Sequence, residues 1–142
     1  MKQQNYSNHA KFVIGYHVIT FIAILILIIG SIRGLMKSSE DNLYSASLLV
    51  LTSFILLFMF YFVRTFALKA QDRAIRAEEK FRFYILTGKA LDEKLTMRQI
   101  IGLRFASDEE YIGLSEKAVK ENLSEKEIKL QIKNWKADTY RV

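Results

Sequence analysis

Two uncharged stretches decide the fold: residues 12–32, FVIGYHVITFIAILILIIGSI, and residues 43–63, LYSASLLVLTSFILLFMFYFV. A helix rises about 1.5 Å per residue, so each stretch reaches across roughly 30 Å, the thickness of the hydrocarbon core of a bilayer. Backbone in lipid must form its hydrogen bonds internally, and apolar runs without two-residue alternation indicate helix. The sequence therefore predicts an all-α membrane protein with two transmembrane helices, at about residues 12–36 and 43–68.

The first stretch has one alternative interpretation, a cleaved signal peptide. Signal peptides carry an apolar segment of about 7–15 residues that ends at a cleavage site with small residues. Here the apolar stretch is longer, and no such site follows it. The short polar segment 37–42, KSSEDN, then leaves room only for a tight turn. Residues 1–68 are accordingly predicted to form a transmembrane helical hairpin.

Basic residues near the span ends predict the orientation of this hairpin. Only Arg33 and Lys37 lie on the side of the turn. The side of the two termini carries eight cations: Lys2, Lys11, Arg64, Lys69, Arg73, Arg76, Lys80 and Arg82. By the positive-inside rule we expect a multi-pass protein of the plasma (inner) membrane with both termini in the cytoplasm.

Residues 69–142 are predicted to form a cytoplasmic helical domain. They hold 16 of the 21 basic residues and 13 of the 15 acidic ones, and this near balance makes nucleic-acid binding an unfavoured interpretation. No Gly or Pro interrupts residues 43–87, so the second span should continue as one long helix and stop before Gly88. Its apolar stripe is predicted at Phe66, Ala70, Ala74 or Ala77, Phe81 and Ile85. Its exposed face is predicted to carry the ion pairs Asp72/Arg76 and Glu78/Arg82.

Three capping boxes predict the starts of three shorter helices. They are Thr96–Gln99, Ser107–Glu110 and Ser124–Glu127, each a Ser or Thr followed three residues later by Glu or Gln. The helices are expected at about residues 97–106, 108–122 and 125–138, and the last should present Ile128, Ile132 and Trp135 on one face. A cluster of this size is expected to need the long helix, the membrane surface or another subunit to complete its core.

Two groups of residues are candidates for contacts rather than for chemistry. Small residues at the outer end of the hairpin permit close helix packing, either within one chain or between two copies: Gly30, Gly34, Ser45, Ala46 and Ser47. Basic residues following the second span are candidates for binding anionic lipid headgroups or a partner: Arg64, Lys69, Arg73 and Arg76.

No pattern in the chain predicts an enzyme, a cofactor or a metal site. The chain has no cysteine, which excludes disulfides and thiolate chemistry. Its two histidines, His9 and His17, lack an acidic third ligand and are interpreted as interfacial hydrogen-bonding groups. Gly88-Lys89 lacks the remaining residues of a P-loop, and no nucleophile motif of the serine hydrolases is present.

Several polar strings carry a resemblance to a known family. They are QDRAIRAEE (residues 71–79), LTGK (86–89), LTMRQIIGLRFA (95–106) and DEE (108–110), with NYSNH (5–9) and IKNWKAD (132–138) at the two ends. With these strings the chain resembles, over essentially its whole length, a family of small bacterial membrane proteins of unknown function with two transmembrane helices. The resemblance implies a bacterial two-span protein and carries no activity, ligand or catalytic residue with it.

The functional hypothesis that follows is an uncharacterised, non-enzymatic membrane protein. It would act through its cytoplasmic helices as an oligomeric or accessory scaffold or interaction subunit, either with itself or within a larger membrane complex. The alternative is an oligomeric pore built from several hairpins, with Thr20, Thr52 and Ser53 as weak polar lining.

Overall fold

The computed structural model describes residues 4–6, 8 and 12–138, and throughout these residues the regular structure is helical. Five α-helices follow one another: α1 (Phe21–Met36), α2 (Leu43–Thr87), α3 (Met97–Leu103), α4 (Asp108–Lys120) and α5 (Glu125–Gln131). A π-helix, Gly15–Thr20, precedes α1, and a 3-10 turn, Glu40–Asn42, precedes α2. The chain divides into a hairpin unit, residues 11–67, and a tail unit, residues 68–142 together with the first ten.

In the hairpin unit α1 and α2 are antiparallel, and most of their side chains are exposed. The Tyr16 hydroxyl donates to the carbonyl of Phe60, and their rings stack with centroids 4.5 Å apart. Further along, the hydroxyls of Ser31 and Ser53 lie 3.4 Å apart. Within the most apolar window of each helix only 11% and 6% of residues are buried, respectively. Both helices are thus long and apolar enough to cross a membrane, and the chain itself covers little of them.

In the tail unit the core forms around α2. The helix ends at Thr87, as predicted, because Gly88 adopts a left-handed conformation (φ +69°) while its N–H donates to the Tyr84 carbonyl over 2.8 Å. The side chains of Ile75 and Phe83 on α2 join one buried cluster with residues of α3, α4, α5 and the α2–α3 loop. The long helix therefore supplies part of the core that the short helices lack.

Two of the three predicted capping boxes are confirmed. At α3 the Gln99 N–H donates to the Thr96 hydroxyl (3.3 Å), and the Thr96 N–H donates to the Gln99 side-chain oxygen (2.8 Å). At α5 Ser124 and Glu127 repeat this arrangement, with distances of 3.3 and 2.7 Å. Each box satisfies backbone donors that the first turn of a helix leaves without partners. Local sequence alone therefore placed the starts of α3 and α5 correctly.

The third predicted box, Ser107–Glu110, is wrong. Ser107 is the residue before α4, but its side chain makes no capping hydrogen bond. The Glu110 carboxylate instead accepts the backbone N–H groups of Lys133 (3.1 Å) and Asn134 (3.3 Å). These two donors follow the end of α5, where no helical carbonyl is available to them. Glu110 consequently joins α4 to the C-terminal segment instead of closing its own helix.

The predicted final helix, residues 125–138, is also wrong in its second half, since α5 ends at Gln131 and Ile132 is extended (ψ 121°). Beyond that point two backbone segments pair at an isolated antiparallel bridge between Ala106 and Trp135. Lys136 N–H donates to the Phe105 carbonyl (2.8 Å), and Ser107 N–H donates to the Asn134 carbonyl (3.1 Å). The Trp135 ring thereby lies 4.9 Å from the ring of Phe105, on an extended segment instead of a helix face. The same pairing explains why α3 stops at Leu103 rather than near residue 106.

Gly102 and Gly113 provide a matched test of the packing between α3 and α5. A Cβ atom on Gly102 would lie 3.2 Å from the Glu125 carbonyl oxygen and from Cγ2 of Ile128, whereas a Cβ atom on Gly113 would meet nothing within 4 Å. We predict that Gly102→Ala lowers the free energy of unfolding by about 1–3 kcal/mol through overpacking. Gly113→Ala should raise it by about 0.5–1 kcal/mol through helix propensity.

The measurement is urea unfolding of the full chain in detergent, followed by the fluorescence of Trp135, the single tryptophan. Equal stabilisation by the two substitutions would contradict the close approach of α3 and α5 at Gly102.

Candidate functional site

A buried polar cluster joins α2 to α4, with the Arg82 guanidinium at its centre. The Arg82 side chain is only 11% exposed. Its Nη1 lies 3.1 Å from Oε2 of Glu79, and its Nη2 lies 2.6 Å from Oδ1 of Asp108. Nη2 also donates to the carbonyl of Ala106 over 2.7 Å. These charge-assisted bonds use most of the donors of the fork, so Arg82 is fully engaged by its own chain.

Tyr111 completes this Arg82 cluster (Arg82, Glu79, Asp108 and Tyr111). Its ring is fully buried beneath the guanidinium, whose central carbon lies 4.3 Å from the ring centroid. Its hydroxyl donates to the backbone carbonyl of Glu79 over 3.1 Å. Burial raises the pKa of the Tyr111 phenol far above its ordinary value, so the group stays neutral and remains a donor. The arrangement holds two helices together, with Asp108 at its exposed edge.

The ion pairing of this cluster corrects the expected Glu78/Arg82 pair. Arg82 pairs with Glu79, which is buried, while Glu78 is exposed. The predicted pair Asp72/Arg76 is likewise not among the ion pairs of the described residues. The reason is tertiary: α4 covers the side of α2 that holds Glu79 and Arg82, so this side is the inner face and not the solvated one.

The opposite side of α2 is apolar and uncovered. We define the outer face of α2 as five exposed residues of the tail unit: Ala70, Ala74, Ala77, Phe81 and Tyr84. Phe81 is 65% exposed and Tyr84 is 59% exposed, and Ile85 beside them is 65% exposed. Most of the stripe predicted from sequence lies here, but the core of the tail forms on the other side, around Ile75 and Phe83. An exposed row of this kind on a folded unit is typical of a surface that another molecule covers.

A cleft of about 470 Å³ lies on one side of the outer face. Its walls are α2, with Glu78, Phe81 and Ile85, and the C-terminal segment 136–138. Arg104 and Asp138 on its rim form an ion pair of 3.1 Å. Gln4 fixes the segment by accepting the Asp138 N–H (2.7 Å) through its side-chain oxygen. In the cleft, as elsewhere among the described residues, no three metal-ligating side chains come together.

A shallower groove of about 380 Å³ lies on the other side of the outer face. We call it the cationic groove because Arg73, Arg76 and Lys80 line it, together with Ala77 and Met97. Of the four basic residues singled out from sequence, Lys69, Arg73 and Arg76 are exposed and Arg64 is partly exposed. None of these four is in an ion pair with another described residue. The two sides of the outer face thus differ in charge: Glu78 lies on one and three cations lie on the other.

The small residues of the hairpin unit lie apart from its closest internal contact. Gly30 and Gly34 are exposed, and a Cβ atom at either would meet nothing within 4 Å, so they do not pack against the second helix. Of the small residues near the start of α2, Ser45 and Ser47 are exposed and Ala46 is partly buried. The helices meet at Ser31 and Ser53, both of them buried, and at the stacked rings of Tyr16 and Phe60. Sequence reasoning missed the serine pair, although a buried serine on each span is a usual packing residue.

The two histidines do not form a described site. Nδ1 of His17 lies 2.9 Å from the Val13 carbonyl, and its ring stacks on Phe12 with centroids 4.6 Å apart. These contacts are local to the start of the first helix. His9 lies outside the described residues.

We predict that Arg82→Met lowers the free energy of unfolding by about 3–5 kcal/mol, because the Glu79 carboxylate would be left buried without its counterion. The double variant Glu79→Leu/Arg82→Met should recover part of this loss, since no unpaired charge then remains on the inner face. Arg98→Met is the control: Arg98 is 79% exposed and lies 3.5 Å from Glu125, so about 1 kcal/mol or less is expected. Urea unfolding monitored at Trp135 measures all three, and a loss for Arg82→Met no larger than that of the control would refute the role of the cluster.

Acid should destabilise the tail unit. The hydrogen bond from Arg82 lowers the pKa of Asp108 from its ordinary 3.8, and the hydrogen bond from Ser124 lowers that of Glu127 from 4.5. The two carboxylates therefore bind protons at a higher pH in the unfolded chain than in the folded chain. Their contribution to stability is fully present above their ordinary pKa values and is lost as the pH falls below them. The unfolding midpoint should drop between about pH 6 and about pH 3, and it should drop less for Asp108→Asn. An identical pH dependence for the variant would show that Asp108 makes no such contribution.

Comparison with known proteins identifies a family but assigns no activity to it. No curated protein and no solved structure matches the chain. One family matches along residues 1–142, and its description is a family of unknown function. The resemblance that the polar strings carry is confirmed to that extent. The chain therefore belongs to DUF6526, a family of unknown function.

Proposed function

We propose that this protein is an integral membrane protein with two spans, both termini cytoplasmic, and that it serves as a non-enzymatic scaffold or interaction subunit. One observation carries the membrane part of the proposal. Large apolar side chains on α1 and on the first half of α2 are exposed, many by more than half, as in Ile26, Met59 and Tyr61. Water-soluble proteins bury such a surface, whereas lipid tails solvate it.

The orientation rests on charge. Eight basic residues flank the spans on the side of the termini and two on the side of the turn, which favours a cytoplasmic location for the tail unit. Arg64, Lys69, Arg73 and Arg76 follow the second apolar run closely in sequence. Basic residues near an anionic leaflet contribute about 1 kcal/mol each to membrane association, so lipid headgroups are the partners that their charge suits.

The scaffold role rests on the outer face of α2. The Arg82 cluster is engaged in holding the helices of the tail unit together. What the unit offers to other molecules is an apolar helix face with charged flanks, and such surfaces mediate protein assembly. Assembly, with another copy or with a larger membrane complex, is therefore the activity that the exposed chemistry supports best.

The alternative function, an oligomeric pore, draws no support from its proposed lining. The Thr20 hydroxyl donates to the Gly15 carbonyl (2.9 Å), and the Thr52 hydroxyl donates to the Leu48 carbonyl (2.8 Å). Ser53 is buried and donates to Val50 over 2.7 Å. These hydroxyls are satisfied by their own helices, as is common for Ser and Thr in apolar helices.

Membrane insertion and orientation can be tested together, because the chain has no cysteine to give background labelling. Asp41→Cys places a thiol at the exposed turn, and Glu116→Cys places one on the exposed side of α4. In intact cells of a bacterial host, a membrane-impermeant maleimide should label Asp41→Cys and leave Glu116→Cys unlabelled. Permeabilised cells are the control, in which both should react, and both variants should sediment with the membranes after carbonate washing. Recovery in the soluble fraction would overturn insertion, and the reverse labelling pattern would overturn the orientation.

A further inference from the structure

The outer face of α2 carries a heptad repeat. Its residues Ala70, Ala74, Ala77, Phe81 and Tyr84 are separated by four, three, four and three positions. This is the spacing of the d and a positions that face a partner helix in a coiled coil. An apolar surface of one helix with this period of 3.5 residues fits a second helix that runs nearly parallel to it.

Among the residues that the structure describes, this apolar face of α2 stays exposed while the opposite face is buried. Ile75, Glu79 and Phe83 are buried against the short helices, and in the heptad they occupy positions away from a and d. All five residues of the outer face are exposed. The fold therefore uses one side of α2 for its own core and presents the other as a continuous apolar row.

The residues that flank the row have opposite character on its two sides. On the g side are Arg73 and Lys80, which line the cationic groove. On the e side are Gln71, Glu78 and Ile85, which line the cleft. In coiled coils the e and g residues of one helix contact those of the other, and their charges select the partner and its direction.

These flanks favour a second copy of the same chain in the parallel direction. In a parallel pair in register, a g residue lies opposite the e residue of the next heptad on the other helix. Arg73 then meets Glu78 of the second copy, and the alkyl chain of Lys80 covers Ile85 of the second copy. In an antiparallel pair g residues face g residues, which brings the cations Arg73 and Lys80 together. The charges thus match in one direction and repel in the other.

We propose that α2 is the seam of a parallel, two-fold symmetric homodimer, in which residues 70–84 of two copies form a coiled coil and Arg73 of each copy pairs with Glu78 of the other. The contact is self-complementary, as a two-fold interface must be. Arg73 in this arrangement binds protein and not a lipid headgroup. Two heptads form a short seam, so its stability rests on the membrane anchoring proposed above, which holds copies in one orientation at high effective concentration.

Cysteine crosslinking tests the seam and its direction. Ala70→Cys and Ala77→Cys, made separately, place a thiol at d positions in two successive heptads. In a parallel pair each thiol meets its own counterpart within the Cα separation of about 4.4–6.8 Å that a disulfide needs. Mild oxidation of membranes should therefore give covalent dimers with both variants. Arg76→Cys is the matched control, because it is exposed beside Ala77 but lies off the seam, and it should give none.

Charge reversal tests the flanking pair independently. Arg73→Glu and Glu78→Arg should each weaken crosslinking at Ala77→Cys several-fold, and the combined reversal should restore it. Phe81→Glu should abolish crosslinking at Ala77→Cys in oxidised membranes. Because Phe81 is 65% exposed, this change should leave the fold intact, and an unchanged Trp135 emission spectrum verifies that.

The outcomes separate this proposal from the one on which it rests. Protein that sediments with membranes, yet fails to crosslink at residues 70 and 77 in those membranes, overturns the seam and leaves the membrane assignment standing. Crosslinking at one of the two positions but not the other overturns the parallel register. Protein recovered in the soluble fraction overturns the membrane assignment and, with it, the seam whose stability rests on that anchoring.

Discussion

The burial of one guanidinium, that of Arg82, determines how the tail unit is arranged around α2. A buried cation is tolerated only where carboxylates and carbonyl oxygens take up its donors, and Glu79, Asp108 and Ala106 do so. These partners come from α2 itself, from the start of α4 and from the segment before it. Because these partners converge on Arg82, the side of α2 that carries Arg82 faces the core of the tail unit. The Tyr111 ring packs against the guanidinium of Arg82, and the Tyr111 hydroxyl donates to the Glu79 carbonyl.

The helical period determines which other residues of α2 face the core together with Arg82. With 3.6 residues per turn, a side that contains Arg82 and Glu79 also contains Ile75, Phe83 and Leu86, which pack into or against the core. Ala70, Ala74 and Ala77, which lie on the other side of the helix, are then exposed. The exposed row of the tail unit therefore follows from the packing of the opposite side of α2. It is the geometric complement of the ion cluster on the inner face.

Backbone pairing at the C-terminal end has a similar organising effect on a smaller scale. The extended segment around Trp135 pairs with residues 105–107, and Glu110 binds the two N–H groups that the end of α5 leaves over. Buried backbone N–H groups need acceptors. The helix therefore ends where the backbone of residues 105–107 and the Glu110 carboxylate supply hydrogen-bond partners. This segment forms one wall of the cleft beside α2.

The sequence by itself determined the features whose causes are local. Uncharged runs of sufficient length predicted the apolar helices. The glycine at position 88 predicted the end of α2, and in the structure it adopts a left-handed conformation. Ser or Thr followed by Gln or Glu predicted the starts of α3 and α5. In each case the residues that make the structure are within one or two helical turns of one another, so their spacing along the chain is enough.

The tertiary structure alone decided which side of α2 faces inward, which acid pairs with Arg82 and where α5 ends. Alanine and phenylalanine on one side of α2 suggested a core, but the core formed on the mixed side, because buried ion pairs and apolar residues together fit against α4. Glu110 had a local role available in a capping box and took a distant one, at Lys133 and Asn134. Asp108 is 26 residues from Arg82, and Lys133 is 23 residues from Glu110. No local pattern specifies which of several possible distant partners a side chain will meet.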